Sequence, residues 1–310
     1  MMLNRISIVM TTYNGERFII DQLRSIIDQT READEILIFD DGSQDSTVKK
    51  IRNLMRANPK TNIKLEINSE NKGWQKNFID GISQATGDIV FLADQDDIWE
   101  PDKIERMSGI LLNNNSIDVL VSNYKVLNMR ESSTPEDYQE AKMLNDNSVE
   151  PILIGNKFYA VERPGCTFCF RKDFFDDIKS LWVEKLAHDQ LIWTAAILKK
   201  SLYLYNMSLI SFRRHDNNAS GRVTLKVSKE KRLLSINNNI YLVNSAMNKY
   251  LSLLNEKEIN IIKEYLDYES NRKKLINRKS LIAFMNLLVK YPKYRYSIKS
   301  NLKDFFIAFR

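Results

Sequence analysis

Three aspartates, Asp94, Asp96 and Asp97, stand within four residues of one another, just after an apolar run over residues 88–92. An apolar run of this length predicts a buried strand. Like charges this close repel one another when buried, so they need a cation, a basic partner or open water to stay ionised. Carboxylate oxygens are ligands that suit Mg²⁺ and Mn²⁺. We therefore interpret residues 94–97, the acidic turn, as a candidate metal and diphosphate site.

Helix capping is the alternative interpretation of these acids, because the sequence predicts a helix from about Pro101 and Asp is a common N-cap residue. The three aspartates lie four to seven residues ahead of that proline. They also follow the carboxyl end of a strand, which is where open α/β sheets bind ligands. Metal and diphosphate binding is therefore favoured over capping.

Apolar runs alternate with helical periodicity over about the first 125 residues. The runs predict strands over residues 5–10, 35–39, 63–67 and 88–92, and the segments between them predict helices over residues 16–29, 47–58 and 74–85. This alternation predicts an α/β fold with a mostly parallel sheet and helices on both faces. Polar residues that follow the strands should meet at one edge of the sheet, namely Thr11–Asn14, Asp40–Asp41, Asn68–Gly73 and the acidic turn.

The glycine-rich loops that bind phosphates in other α/β proteins are absent from the sequence. No Gly-x-Gly-x-x-Gly follows the first predicted strand, and no Gly-x-x-x-x-Gly-Lys-Ser/Thr occurs in the chain. In both loops, backbone N–H groups cradle the phosphates. A nucleotide bound here would instead be held by side chains and a metal.

Size and composition indicate a globular protein. The 310 residues, 43% of them hydrophobic, can bury one large core or two modest ones. The first apolar run is too short for a signal peptide, and no run reaches membrane-spanning length, so we expect a cytoplasmic protein. Cys166 and Cys169 lack the partners of a zinc or redox site, so we expect two buried structural thiols.

Charge is distributed unevenly along the chain. Residues 222–310 carry 19 Lys and Arg against 7 Asp and Glu, a net charge of +12, whereas residues 1–221 carry −6. Apolar residues at helical intervals predict that this basic tail is helical. It could lie on an anionic membrane, or pack on the preceding domain or a second subunit, and packing is favoured. Nucleic-acid binding is disfavoured because the basic residues occupy all helical faces.

The polar motifs together resemble those of the family 2 glycosyltransferases of GT-A fold. They are Thr11-Thr12-Tyr13-Asn14-Gly15, Asp40-Asp41-Gly42-Ser43, Asn71-Lys72-Gly73 with Asn77, and Asp94-Gln95-Asp96-Asp97-Ile98-Trp99. The last is most similar to the rhamnosyltransferase branch that builds bacterial surface polysaccharides. The resemblance covers residues 5 to about 221. It implies a GT-A domain over residues 1–221, with a nucleotide-sugar half (1–125) and an acceptor half (126–221), followed by an all-α extension over residues 222–310.

The resemblance implies inverting transfer of a sugar from a nucleoside diphosphate to a hydroxyl of a growing, lipid-linked surface or capsular polysaccharide. dTDP-L-rhamnose is the favoured donor, and a UDP-hexose remains the alternative. Such an enzyme would work in the cytoplasm, either free or on the inner face of the plasma membrane.

The resemblance also implies roles for single residues. Asp96 is the expected ligand of Mn²⁺ or Mg²⁺. His215 follows a predicted strand and two arginines, so it is the second candidate ligand, and a solvated loop position is its alternative. Asp189 is the expected base for the acceptor hydroxyl, with helix capping as its structural alternative. His188 and Trp99 are expected to contact the acceptor or the sugar, and a core position is an equal alternative for Trp99. The expected donor-binding residues are Thr11, Tyr13, Asp41, Lys76, Asp94, Gln95, Arg213 and Arg214.

Two other classes of protein fit less well. A non-catalytic glycan-binding protein of the same fold should lack some of Asp41, Asp96 and Asp189, yet all three are present. A nucleotidyltransferase should carry a glycine-rich, basic phosphate loop at residues 11–15, which this sequence does not. The polar stretch over residues 128–147 is either a lid near the site or a surface loop.

Overall fold

A computed structural model of the chain describes residues 4–128, 143–215, 227–294 and 298–309. The chain forms two compact units. The first comprises Met1–Pro151, Glu162–Ser180 and Ser201–Arg222, and the second comprises Ile152–Val161, Leu181–Lys200 and Val223–Arg310. The expected acceptor half, residues 126–221, is thus shared between the two units. Most of the polar stretch predicted at residues 128–147 lies outside the described residues.

The first unit begins with alternating strands and helices, as the sequence predicts. These elements are β1 (Ile6–Thr12), α1 (Ile19–Ile27), β2 (Glu35–Asp40), α2 (Thr47–Ala57), β3 (Ile63–Ile67), α3 (Trp74–Gln84) and β4 (Ile89–Ala93). β1 lies between β2 and β4 and is parallel to both, and β3 extends the sheet beyond β2 in the same direction. Because all seven residues of β1 are buried, its near-continuous apolar sequence is that of a central parallel strand.

The rest of the first unit makes the sheet mixed. It contributes β5 (Ile98–Trp99), α4 (Lys103–Asn113), β6 (Val119–Asn128), β7 (Val149–Pro151), β8 (Phe168–Arg171), α5 (Lys172–Ile178) and β9 (Leu202–Arg214). Among the described residues the strand order is β3-β2-β1-β4-β8-β6-β9-β5, and β7 also pairs with β9. β8 is antiparallel to both of its neighbours, and β5 and β7 are antiparallel to β9. The α/β class is confirmed, but the parallel arrangement is confined to β1–β4 and the pair β6–β9.

Two segments of the mixed part of the sheet are irregular. A 3₁₀ turn over Gly165–Thr167 leads into β8. The pairing of β9 with β6 shifts register opposite Ser122 and Asn123. This irregularity falls where a polar residue, Asn206, interrupts the apolar run. Cys166 and Cys169 are buried free thiols, as expected.

Close packing of α3 on the sheet requires a glycine at residue 81. A Cβ there would lie 2.7 Å from the Phe39 ring and 2.9 Å from Val9, whereas a Cβ at Gly109 of α4 would meet nothing within 4 Å. We expect Gly81→Ala to lower the free energy of unfolding by about 1–3 kcal/mol through overpacking. The matched control, Gly109→Ala, should raise it by up to about 1 kcal/mol, since alanine favours helix. Urea unfolding followed by circular dichroism measures both, and equal stabilities would contradict this packing.

The second unit is largely helical, as predicted for the tail. It contains α6 (His188–Lys199), α7 (Lys229–Lys249), α8 (Glu256–Arg278), α9 (Leu281–Val289) and α10 (Ile298–Phe309). α8 contacts α7, α9 and α10. Buried Asp304 of α10 accepts hydrogen bonds from Arg232 of α7 at 2.6 Å and Arg272 of α8 at 2.7 Å, so one carboxylate joins three helices. None of the helices described is both long and apolar enough to cross a membrane.

Candidate active site

The polar clusters that follow the first four strands are linked by hydrogen bonds. Asn14, after β1, donates its backbone N–H to Ser43 Oγ at 2.8 Å, which joins the first cluster to the segment after β2. Asp41, after β2, accepts from the Lys72 backbone N–H at 3.0 Å, which joins the second cluster to the third. Gln95 of the acidic turn joins the fourth cluster to the first through Tyr13. The structure therefore gathers all four clusters at one edge of the sheet, as the βαβ pattern predicts.

Asp96 of the acidic turn lies against His215 at the end of β9. The His215 Nε2 is 2.8 Å from Asp96 Oδ2, and both side chains are largely buried. Phe18 packs on the imidazole with a ring separation of 4.9 Å. A carboxylate oxygen and an imidazole nitrogen are both ligands for divalent cations, so two such atoms this close together can bind the same cation in place of the hydrogen bond between them. The structure thus brings together the two residues expected to bind metal, and metal binding itself stays a prediction.

Asp97, unlike Asp96, is enclosed by the protein. Its Oδ1 accepts the Arg213 backbone N–H at 3.0 Å, and its side chain is fully buried. Burial, and then the neighbouring charge of Asp96, raise the pKa of Asp97 to about 7. Asp94, Asp97 and Cys166 can place ligand atoms within 4.8 Å of one another. Burial raises the pKa of the Cys166 thiol well above its usual value, so this group lacks the thiolate that binds metals.

Arg213, an expected donor-binding residue, supports the acidic turn from β9. Its Nε donates to the backbone carbonyl of Asp96 at 2.8 Å, in addition to the bond from its backbone N–H to Asp97. The guanidinium lies 4.4 Å from the centre of the Phe18 ring and 3.6 Å from Asp21. Arg213 is therefore a positioning residue in this structure. Arg214 is half-buried at the end of β9, and its contact with the donor stays a prediction.

Trp99 is a core residue in this structure, which is the alternative position named for it, and its contact with a sugar stays a prediction. Its side chain is 2% exposed, so the ring offers no face to a ligand. Lys103 Nζ lies 3.7 Å from the centre of the ring and donates to the Cys166 carbonyl at 2.8 Å. Burial lowers the pKa of Lys103 to about 8. A cation over an indole stabilises this packing at the base of β5.

Sequence reasoning missed Lys103, although a signal was present. Lys103, Met107 and Leu111 are spaced four residues apart, so they share one face of α4, and all three are buried. A lysine in such an apolar stripe indicates a buried charge that must find partners.

Gln95 clamps the acidic turn to the end of β1. Its Oε1 accepts from Thr12 Oγ1 at 2.7 Å and from the Tyr13 N–H at 2.9 Å, and its Nε2 donates to the Tyr13 carbonyl at 3.2 Å. Both ends of the amide therefore make hydrogen bonds within the protein. In this structure Gln95 positions the site, and its amide is not available to the nucleotide sugar. Thr11 is 8% exposed and Tyr13 is 46% exposed, so Tyr13 is the more accessible of the two expected donor contacts.

The clamp depends on the absence of a side chain at Gly15, where a Cβ would lie 2.2 Å from Gln95 Oε1. We expect Gly15→Ala and Gln95→Ala each to raise KM for the donor by about tenfold, because each frees the Tyr13 segment from the acidic turn. If both act through the clamp, the double variant should be no worse than either single variant. Steady-state kinetics test this, and additive effects would show that the two residues act independently.

Asp41 organises the loop before α3. Its carboxylate accepts from Asn68 Nδ2 and the Lys72 N–H, each at 3.0 Å, and from the Gly73 N–H at 2.9 Å. A carboxylate can accept about four hydrogen bonds, so a position remains for the N–H of a base. Lys76, in the first turn of α3, pairs with Asp80 at 2.9 Å. Donor contacts of Asp41, Lys76 and Asp94 stay predictions.

Asp189 and His188 belong to the second unit, whereas the other expected site residues belong to the first. Asp189 is the second residue of α6, and the N-cap is Ala187, so Asp189 is not the N-cap residue. Burial raises the pKa of Asp189 to about 6, although its carboxylate accepts the Gln190 N–H at 2.8 Å. A half-buried carboxylate with this pKa is suited to accept a proton near neutral pH.

His188 is buried, with 3% of the residue exposed. Burial lowers the pKa of its imidazole to about 3, so the ring is neutral at physiological pH. The ring does not reach the surface in this structure, and the contact of His188 with the acceptor stays a prediction.

Two known glycosyltransferases are similar to this chain in sequence. The chain is 29% identical over 244 residues to the dTDP-rhamnosyl transferase RfbG of Shigella flexneri, a match that covers 75% of this chain and 80% of that protein. It is 32% identical over 123 residues to the UDP-Glc:alpha-D-GlcNAc-diphosphoundecaprenol beta-1,3-glucosyltransferase WfgD of Escherichia coli, covering 40% of this chain and 47% of that protein.

Solved structures share the fold. S. aureus TarS in complex with UDP-GlcNAc matches 97% of this chain and 81% of its own, with a TM-score of 0.66 and 18% identity. The mannosyltransferase PcManGT from Pyrobaculum calidifontis was solved in complex with GDP-Man and Mn²⁺. Its match covers 99% of this chain and 87% of the PcManGT chain, with a TM-score of 0.55 and 15% identity. The model of one family, Glycosyl transferase family 2, matches residues 7–177, more than half of the sequence. The chain therefore belongs to glycosyl transferase family 2 and is a glycosyltransferase.

Proposed function

We propose that this enzyme transfers L-rhamnose from dTDP-L-rhamnose to a hydroxyl of a growing, lipid-linked bacterial surface or capsular polysaccharide. The observation that carries the proposal is the likeness to the dTDP-rhamnosyl transferase RfbG, which extends over three quarters of this chain. The edge of the sheet supports it, because an acidic turn, a neighbouring imidazole and an exposed tyrosine meet there.

Asp96 and His215 would hold the divalent cation, Mn²⁺ or Mg²⁺. Their facing oxygen and nitrogen atoms, 2.8 Å apart, are the donor set that supports this assignment. When bound, such a cation supplies positive charge that neutralises a leaving diphosphate. The solved structure of PcManGT, which has the same fold, contains both a nucleotide sugar, GDP-Man, and a divalent cation, Mn²⁺.

The base in the proposed reaction is Asp189. The acceptor oxygen forms a bond to the anomeric carbon as the bond from that carbon to the diphosphate breaks, so the configuration inverts. The proton of the acceptor hydroxyl passes to the Asp189 carboxylate, whose raised pKa of about 6 keeps it both ionised and basic at neutral pH. A single base is sufficient, since no covalent intermediate forms.

The donor is held mainly by the first unit. Tyr13 and Thr11 would contact the nucleoside, and Asp41 would accept the N–H of a pyrimidine base through its remaining acceptor position. Asp94 would face the ribose and the sugar. Lys76 and Arg214 would supply charge to the phosphates. Gln95 and Arg213 fix the acidic turn between these groups.

A UDP-hexose donor is the second candidate. The likeness to WfgD, a UDP-Glc-dependent glucosyltransferase, favours it over a shorter part of the chain. Both donors contain a pyrimidine base and a diphosphate, so the residues assigned above serve either.

A comparison of nucleotide sugars tests the proposal. We expect dTDP-L-rhamnose with Mn²⁺ to raise the melting temperature of the full chain and to be slowly hydrolysed to dTDP, and we expect EDTA to abolish both effects. UDP-glucose and UDP-GlcNAc are the matched alternatives. Stabilisation by a UDP-hexose alone would replace rhamnose with that sugar, and stabilisation by no nucleotide sugar would overturn the proposed function.

A further inference from the structure

Helices α9 and α10 each expose a series of large apolar side chains, and the two series are called here the C-terminal apolar face. On α9 the exposed residues follow one side of the helix, and Ala283 and Leu287 are buried on the other. On α10 the exposed residues repeat every three to four positions, and Asp304 and Ala308 are buried opposite them. The face consists of Leu281, Ile282, Met285, Val289, Leu302, Phe306 and Phe309, which are between 39% and 78% exposed.

The two helices of this face are in contact. The rings of Phe284 on α9 and Phe305 on α10 lie 4.7 Å apart, and Phe305 lies 4.7 Å from Phe309. Lys279, just before α9, has its Nζ 5.8 Å from the centre of the Phe309 ring. A basic group therefore borders the apolar side chains directly. Exposed apolar surface of this extent usually marks an interaction site.

The segment that carries the face is rich in basic residues. Residues 278–310 contain eight Lys and Arg and a single acid, Asp304. Asp304 is 0% exposed and is paired with Arg232 and Arg272, so it does not reduce the charge of the surface. Lys293 pairs with Glu264 of α8. Among the described basic residues, Arg278, Lys279 and Lys290 are exposed at the two ends of α9 and place positive charge beside its apolar side chains.

We propose that the C-terminal apolar face docks on an anionic phospholipid bilayer, with α9 and α10 lying in its interface. Apolar side chains on one side of a helix, with lysine and arginine at its borders, are the combination that binds such surfaces. A second copy of the chain fits less well, because a two-fold interface would place the same positive borders against each other. This inference goes beyond the proposed function and does not depend on which donor the enzyme uses.

Sedimentation of the full chain with vesicles tests the docking. We expect it to bind vesicles that contain phosphatidylglycerol and not vesicles of phosphatidylcholine alone. The double variant Ile282→Ser/Val289→Ser removes two side chains that are 78% and 72% exposed, so we expect the fold to persist, and thermal unfolding checks this. It should weaken binding at least about tenfold through lost apolar burial. The matched control is Leu251→Ser/Leu253→Ser, two leucines of the same unit that are each 47% exposed but lie outside the face, and it should bind like wild type.

A second variant tests the electrostatic contribution to vesicle binding. Lys290, which is exposed at the end of α9, should contribute to binding, and Lys290→Gln should weaken it by about fivefold. Equal binding to neutral and anionic vesicles would overturn the proposal, as would wild-type binding by Ile282→Ser/Val289→Ser. A dimer in analytical ultracentrifugation that this double variant dissociates, together with no vesicle binding, would assign the face to a second copy instead.

Discussion

The variant Asp189→Asn is expected to lower kcat for sugar transfer by about 10²–10⁴-fold, the usual contribution of a positioned general base. Asparagine has the same shape but cannot accept the proton of the acceptor hydroxyl. The fold should persist, because burial already disfavours the ionised form of this carboxyl. Donor binding should also persist, since Asp189 is assigned to the acceptor. Transfer assays and thermal unfolding measure the two properties separately.

The matched control is Asp173→Asn. Asp173 is the second residue of α5, as Asp189 is of α6, and its carboxylate likewise accepts the N–H of the following residue, at 2.7 Å. Asp173 is exposed, however, and no role in the site is assigned to it. We expect this variant to transfer sugar at the wild-type rate. Near-normal turnover by Asp189→Asn would show that another group is the base.

The pH profile provides a second test of the same residue. Burial raises the pKa of Asp189 to about 6, and only the deprotonated carboxylate can act as a base. As the pH falls through this value the base becomes protonated, so kcat should decline by about tenfold per pH unit below about pH 6. In Asp189→Asn this limb of the profile should disappear. A wild-type rate that stays level down to pH 5 would contradict the assignment.

Asp96→Asn is expected to lower transfer by about a thousandfold or more, because it removes the charged ligand of the divalent cation that neutralises the diphosphate. The amide keeps the volume of the side chain and can still meet the His215 imidazole, so stability should change little. Asp102→Asn is the control, since Asp102 is a partly exposed acid that pairs with Arg106 and is assigned no ligand role. Full activity of Asp96→Asn would show that Asp96 is not the ligand of a cation needed for transfer.

Much of the fold could be predicted from local patterns. The order β1-α1-β2-α2-β3-α3-β4 follows from apolar runs and helical periodicity, and the convergence of their polar ends follows from parallel pairing. The directions of the strands after β4 could not be predicted. A pattern of apolar residues indicates that a segment is a strand, but it does not indicate which strand it pairs with. The antiparallel position of β8 between β4 and β6 is set by long-range pairing.

The sequence predicts which residues lie at the site better than it predicts what each of them does there. The motifs identify Asp96 and His215, which are 119 positions apart in sequence and adjacent in the structure. They do not reveal that Trp99 is covered by a buried lysine, that Gln95 uses its amide on Tyr13, or that Arg213 supports the acidic turn. Burial and partner choice decide these roles, and both depend on the tertiary structure. The grouping of α6 with the C-terminal helices likewise depends on packing.

Calorimetric titration of dTDP, and in parallel of UDP, into the full chain tests the central claim most directly. For the wild type, Mn²⁺ is predicted to tighten binding of the preferred nucleotide by at least about tenfold, because metal and diphosphate bind together at the acidic turn. For Asp96→Asn, Mn²⁺ should make no difference. Equal affinities with and without Mn²⁺ in the wild type, or the same metal response in Asp96→Asn, would contradict the account.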